Sequence, residues 1–167
     1  MSHTTQRYTF KDNSADYARL AQELTGLLAG ETDLVANAAN LSALLFDALP
    51  EVNWAGVYFL KRGELVVGPF QGKPACVRIA LGNGVCGTAA QRRETIVVQD
   101  VHEFPGHIAC DAASQSEIVI PLIFKGVLFG VLDIDSPRLA RFDDADRRGL
   151  EHLAEIFVNG SKVAEVG

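Results

Sequence analysis

The sequence predicts an α+β fold, an antiparallel sheet with helices segregated to the two ends of the chain, and three observations carry it. Apolar residues recur at helical spacing in two segments before Pro50. Between Trp54 and Ile134 the texture changes to short apolar runs broken by glycine-containing turns. After Pro137, helical spacing returns from Asp143 to Val158.

Taken in order, Met1 to Asn13 reads as a polar lead-in and the remaining residues, 14–167, as one domain. Ser14 is placed to cap a helix over Ala15 to Leu28, in which Tyr17, Leu20, Ala21, Leu24, Leu27 and Leu28 repeat at helical intervals. Gly30 ends it, and Asp33 caps a second helix through Leu49, closed by Pro50. That helix is apolar on most sides, which predicts burial. The short link between the two favours an antiparallel pair. Strands follow at Trp54 to Leu60 and Glu64 to Val67, joined by the turn Lys61-Arg62-Gly63. A short strand at Cys76 to Ala80 leads through Asn83 to Glu94, a loop and short helix, into another strand at Thr95 to Gln99. Val101 to Ser116 is irregular. Glu117 to Phe124 and Val127 to Ile134 form a hairpin across Lys125-Gly126. The acids and bases of Asp143-Asp144-Asp146 and Arg147-Arg148 read as a solvated helix start, with Asp143 as cap.

Composition excludes several classes of function. A net charge of −6 argues against a general nucleic-acid binder. The polar, mixed stretch from Met1 to Asp16 predicts no secretory leader. No apolar stretch is long enough to span a bilayer, since Ile118 to Phe124 is strand-length and contains Pro121. An odd count of 3 cysteines fits a reducing cytoplasmic setting better than a disulfide framework.

Two motifs invite chemistry that their context does not support. Gly82-Asn83-Gly84-Val85-Cys86-Gly87 matches the dinucleotide fingerprint and has Asp100 downstream. Yet hairpin-linked strands precede it and no succession of βαβ units follows, so the glycines read as a tight entry into a short helix. Cys76, Cys86, His107 and Cys110 offer a zinc-like ligand set, but nine residues separate the first two thiols where a structural site uses two to four.

The remaining candidates cluster. Cys110 sits in a long irregular segment, of the kind that often carries function, with His102 and His107 close in sequence; a reactive loop thiol and a buried loop cysteine both fit. Cys86, among Val85, Ala89 and Ala90, reads as packed core. Asp133 and Asp135 alternate with Ile134 and so share one face of their strand. The hairpin sets Glu117 opposite them. Such crowding raises at least one carboxyl pKa and suits an ammonium ligand; solvated strand-end acids are the plainer reading. Trp54 and Tyr58 share a face four residues apart, as an apolar wall or as core.

The segments NWAGVYFL, GPFQGKPACVRIALGNGVCGTAA, HIACDAASQSEIVIPL and GVLDIDSP, with three cysteines at this spacing, resemble the free methionine-(R)-sulfoxide reductases, which are small single GAF domains. The resemblance runs from about Ala15 onward and implies a GAF-like antiparallel sheet with N-terminal helices and a C-terminal helix packed together. It implies that Cys110 attacks the sulfoxide sulfur and becomes a sulfenic acid. Cys76 then resolves it to a disulfide, and Cys86 is an auxiliary thiol. Glu117, Asp133 and Asp135 would bind the sulfoxide oxygen and the substrate ammonium, Trp54 would face the methyl group, and Tyr58 would line the pocket. The implied substrate is free L-methionine (R)-S-oxide and the natural reductant is thioredoxin. No metal or organic cofactor is called for, neither nucleic acid nor membrane is an expected partner, and a homodimer through the terminal helices is. The rival expectation is a GAF module that senses a small ligand or redox state without turnover.

Overall fold

The computed structural model describes residues 13–107, 110 and 112–163. The lead-in expected over 1–13 lies outside them, except that Asn13 already begins the first helix, one residue before the cap predicted at Ser14. In chain order the elements are α1 (Asn13–Leu28), α2 (Leu34–Ala48), β1 (Trp54–Lys61), β2 (Glu64–Gly72), β3 (Arg78–Ala80), α3 (Gly84–Arg92), β4 (Ile96–Val98), β5 (Ser116–Phe124), β6 (Val127–Ser136) and α4 (Asp144–Gly160). Val101–Glu103 forms one 3-10 turn inside the segment read as irregular.

Local chemistry explains the boundaries. Asp33 accepts a bond from the Ala36 backbone at 2.8 Å and caps α2. At α4 the Asp143 and Asp146 side chains each accept from the other's backbone N–H, a capping box. Lys125 and Gly126 both have positive φ, which closes the β5–β6 hairpin in two residues. Arg62 and Gly63 do the same between β1 and β2. The second strand runs on past Val67 to Gly72, further than its apolar pattern indicates, with a register shift opposite Gly56 and Tyr58.

All six strands lie in one antiparallel sheet of order β3-β2-β1-β6-β5-β4. The pleat sends alternate side chains to opposite faces. Ala55, Val57 and Phe59 of β1, with Ile118, Ile120 and Leu122 of β5, meet the face covered by α1, α2 and α4. Trp54, Tyr58, Val119 and Val131 point the other way, toward α3 and its flanking loops.

Two expectations about the helices are corrected. The first two helices do not form the main pair: α1 lies along α4, with the Tyr17 ring against Gly149 near their starts and Leu28 against Gly160 near their ends. The two therefore run parallel, and α2 packs on β1 and β2 instead. The start of α4 is not wholly solvated either. Asp146 is fully buried, accepts from the Tyr17 hydroxyl at 2.7 Å and pairs with Arg141 at 3.2 Å. Its charge lies inside the junction of α1, α4 and the loop before it, so the acid is an architectural tie more than a dipole partner.

Candidate active site

The face opposite the long helices carries a row of the side chains singled out as site candidates. Register places Trp54 of β1 against Asp135 of β6, and Asp135 against Glu117 of β5. One row further along, Gly56 pairs with Asp133, and Asp133 with Val119. Three carboxylates and an indole thus meet because β6 lies between β1 and β5. A Cβ at Gly56 would sit 2.7 Å from the Trp54 ring and 2.4 Å from the Phe70 Cβ, so the glycine leaves room for the indole. That ring stacks on Phe70 at 5.2 Å and lies 5.8 Å from Tyr58.

Above this row sit two covers. The first is α3, whose glycine-rich entry holds Gly82 and Gly84 at positive φ. A Cβ on Gly87 would meet the Ala80 carbonyl at 2.3 Å, so the helix seats closely on the end of β3. These glycines shape a helix entry, and the antiparallel sheet has no βαβ unit to make it a dinucleotide site. The seating buries Cys86 and sets its thiol within 4.8 Å of the Asp133 carboxyl. Cys86 is core, as its neighbours predict, but core in contact with carboxylates.

The second cover is the segment that carries Cys76. Trp54 Nε1 donates to the Lys73 carbonyl at 3.1 Å, and the Tyr58 hydroxyl donates to the Cys76 carbonyl at 3.2 Å. The half-buried Cys76 is joined to Cys110 by a disulfide, with their Cα atoms 5.7 Å apart across 34 residues. Cys110 is exposed, which excludes a buried loop cysteine; its neighbours Ile108, Ala109 and Asp111 lie outside the described residues. With two thiols bonded together, the zinc set of Cys76, Cys86, His107 and Cys110 does not form.

Together these groups line a cavity of about 50 Å³, with Trp54, Tyr58, Cys86, Cys110, Glu117, Asp133 and Asp135 in its wall. Cys76 stands at the edge through its disulfide partner. Sequence reasoning did not place His107, Ser114, Asn83 or the Lys73-Pro74-Ala75 segment in this wall. His107 entered the sequence reading only as a zinc-like ligand and as a neighbour of Cys110; Asn53 Nδ2 donates to Ser114 Oγ at 3.2 Å, a tie with no local sequence signal.

Burial pushes the Glu117 and Asp133 carboxyls well above the usual range, and the neighbouring acids raise both further. The Asp133 thiol partner acts in the opposite sense and does not offset this. Cys86 is also pushed up, by burial first and then by the negative charge of Asp133 and Glu117. Tyr58, raised chiefly by burial, remains a neutral donor. Burial and the neighbouring His102 push His107 down, which disfavours its charged form; His102 itself faces Asp100 at 3.1 Å. The site therefore sets carboxyls whose surroundings favour the neutral form beside the Cys76–Cys110 disulfide.

The GAF domain family matches residues 36–159. Free methionine-R-sulfoxide reductase of Escherichia coli (strain K12) is 56% identical over 137 residues, covering 82% of this chain and 83% of that protein. The chain belongs to the free methionine-R-sulfoxide reductase family. A further relative of that name, from Saccharomyces cerevisiae, is 46% identical over 140 residues, 79% of this chain and 78% of its own. The X-ray structure of free methionine-R-sulfoxide reductase from Neisseria meningitidis in complex with its substrate superposes with a TM-score of 0.90 at 43% identity, covering 95% of each chain. The family's GAF fold is the α+β sheet described above, as the sequence predicts. Among the described residues no helix is long and apolar enough to cross a membrane.

Proposed function

We propose that this chain, as one GAF domain over 14–167, reduces free L-methionine (R)-S-oxide to methionine with Cys110 as nucleophile and Cys76 as resolving thiol. The observation that supports this most is the joining of Cys76 to Cys110 at a cavity walled by Trp54 and three carboxylates. The Cys110 thiolate attacks the sulfoxide sulfur while a protonated acid of the Glu117, Asp133 and Asp135 set gives its proton to the oxygen. Methionine leaves, and the oxygen stays on Cys110 as a sulfenic acid. The Cys76 thiol then attacks the Cys110 sulfur, water departs, and the disulfide remains. An external dithiol, thioredoxin in the cytoplasm, returns both thiols. Net, two electrons pass from the dithiol to the sulfoxide.

The acids have two tasks in this reading. One holds a proton for the oxygen; another ionises as the substrate ammonium arrives, because an adjacent cation favours the charged form. Trp54 packs on the methyl group and Tyr58 lines the wall. Cys86 stays beside Asp133 and takes no electrons. Homodimerisation through the terminal helices belongs to the same reading.

Methionine release from each sulfoxide epimer, measured with a dithiol, tests the assignment. The R epimer is expected to turn over, the S epimer not, and Cys110→Ser to abolish release. Cys76→Ser should release about one methionine per chain and then fail to cycle with thioredoxin. Unimpaired cycling would remove Cys76 as resolver and leave Cys86 in its place. Ligand binding without any turnover by the wild type would make the domain a sensor.

A further inference from the structure

Cys86, Glu117 and Asp133 each offer one ligand atom, and the three atoms lie within 4.8 Å of one another. All three residues are at least nine-tenths buried. Asp133 Oδ1 is buried with no hydrogen-bond partner among the described residues, and its residue lines the cavity. We propose that Cys86, Glu117 and Asp133, completed by water, bind a thiophilic divalent cation of the zinc class, and that a cation held there excludes the sulfoxide. Binding stands on the geometry alone; the blocking rests on the function proposed above.

One thiolate and two carboxylates make a donor set suited to zinc, which accepts sulfur at about 2.3 Å and carboxylate oxygen at about 2.0–2.2 Å. A tetrahedral site of those bond lengths separates its ligand atoms by about 3.4–3.7 Å. The trio therefore needs to draw in by no more than about 1 Å, within the reach of side-chain rotation. Each ligand comes from a different element, Cys86 from α3, Glu117 from β5 and Asp133 from β6, so the cation would bridge the helix to the sheet. A dication also answers the like-charge crowding, taking the place of the protons that otherwise keep the acids neutral.

The cavity of about 50 Å³ beside these ligands has room for an ion and a completing water, which needs about 10–15 Å³ of such space. Neither redox cysteine is needed, because the site takes the one thiol that the proposed reaction leaves unconsumed. A cation seated there would cover the two carboxylates that the substrate ammonium and oxygen require.

Cobalt(II) chloride added to the full oxidised chain is the direct test. With Cys76 and Cys110 joined, any thiolate-to-cobalt charge-transfer band reports Cys86. One equivalent of cobalt should produce that band, zinc chloride should bleach it, and Cys86→Ser should lose it while keeping the near-ultraviolet dichroism of the Trp54 surroundings. As a check that needs no variant, zinc should slow alkylation of the oxidised wild type's single free thiol at least tenfold. No band, a band undiminished in folded Cys86→Ser, or alkylation indifferent to zinc would each overturn the site. Methionine release in a single turnover of the reduced chain separates the two readings. Release unaffected by saturating zinc overturns the blocking. A chain that binds cobalt on Cys86 but never releases methionine defeats the function instead.

Discussion

Replacing Asp133 by Asn should make the protein more stable and less active, and the amount is set by where that carboxyl lies. Asp133 is 5% exposed and its pKa is raised by burial first and then by the charge of Asp135. The folded state therefore retains a proton that the unfolded chain releases above the ordinary carboxylate range. The contribution of such a group to stability is complete below the unfolded pKa and is lost as pH climbs toward the raised folded value, by about 1.4 kcal/mol per pH unit. An Asn amide has nearly the shape of the protonated acid and carries none of that slope. Relative to wild type, Asp133→Asn should gain stability as pH rises above the ordinary carboxylate range, by up to about 1.4 kcal/mol per pH unit while the wild-type acid holds its proton. Urea unfolding of the oxidised chain at successive pH values measures the difference, with equal m-values as the control. In the same variant the ammonium loses a charged partner, which is worth about 1.5–3 kcal/mol and corresponds to roughly 10–150-fold in kcat/KM. Parallel stability curves for the two proteins would refute the burial argument. An unchanged kcat/KM would remove Asp133 from the substrate.

Packing and the buried polar tie carry two more expectations. Gly130→Ala would bring a Cβ within 2.2 Å of the Tyr58 carbonyl, parting β1 from β6 where the Trp54 and Asp133 strands meet; the cost should be about 1–3 kcal/mol in urea unfolding, with turnover falling too. Tyr17→Phe deletes the donor to Asp146 on the opposite side of the sheet, but Asp146 retains Arg141 and the Asp143 backbone. A loss of about 1–2 kcal/mol with kcat/KM intact is expected, and a large drop in activity would tie the helix pair to the site.

Much of the site was legible in the sequence because strand pleating and two-residue turns are local. Alternation alone puts Asp133 with Asp135 and Trp54 with Tyr58, and the Lys125-Gly126 turn brings Glu117 to the Asp133–Asp135 end of its partner strand; a plain count would pair it with Ile134, and the register shift between Leu122 and Ile123 sets it on Asp135. Helix caps at Asp33 and Asp143 were equally readable, since a cap bonds within its own first turn. The cysteine pairing came only through resemblance to a family, for no spacing rule joins residues 34 apart. What tertiary structure decided was adjacency. Placing β6 between β1 and β5 carried the indole to the carboxylates, and the seating of α3 set the Cys86 thiol on Asp133. The pairing of α1 with α4, and with it the burial of Asp146, follows from how the apolar helix faces are shared over one side of the sheet. Local sequence specifies which face a residue presents, because that depends on its immediate neighbours in the chain. Which distant face it meets depends on how the whole chain removes its apolar surface from water, and that is settled only when all the elements pack.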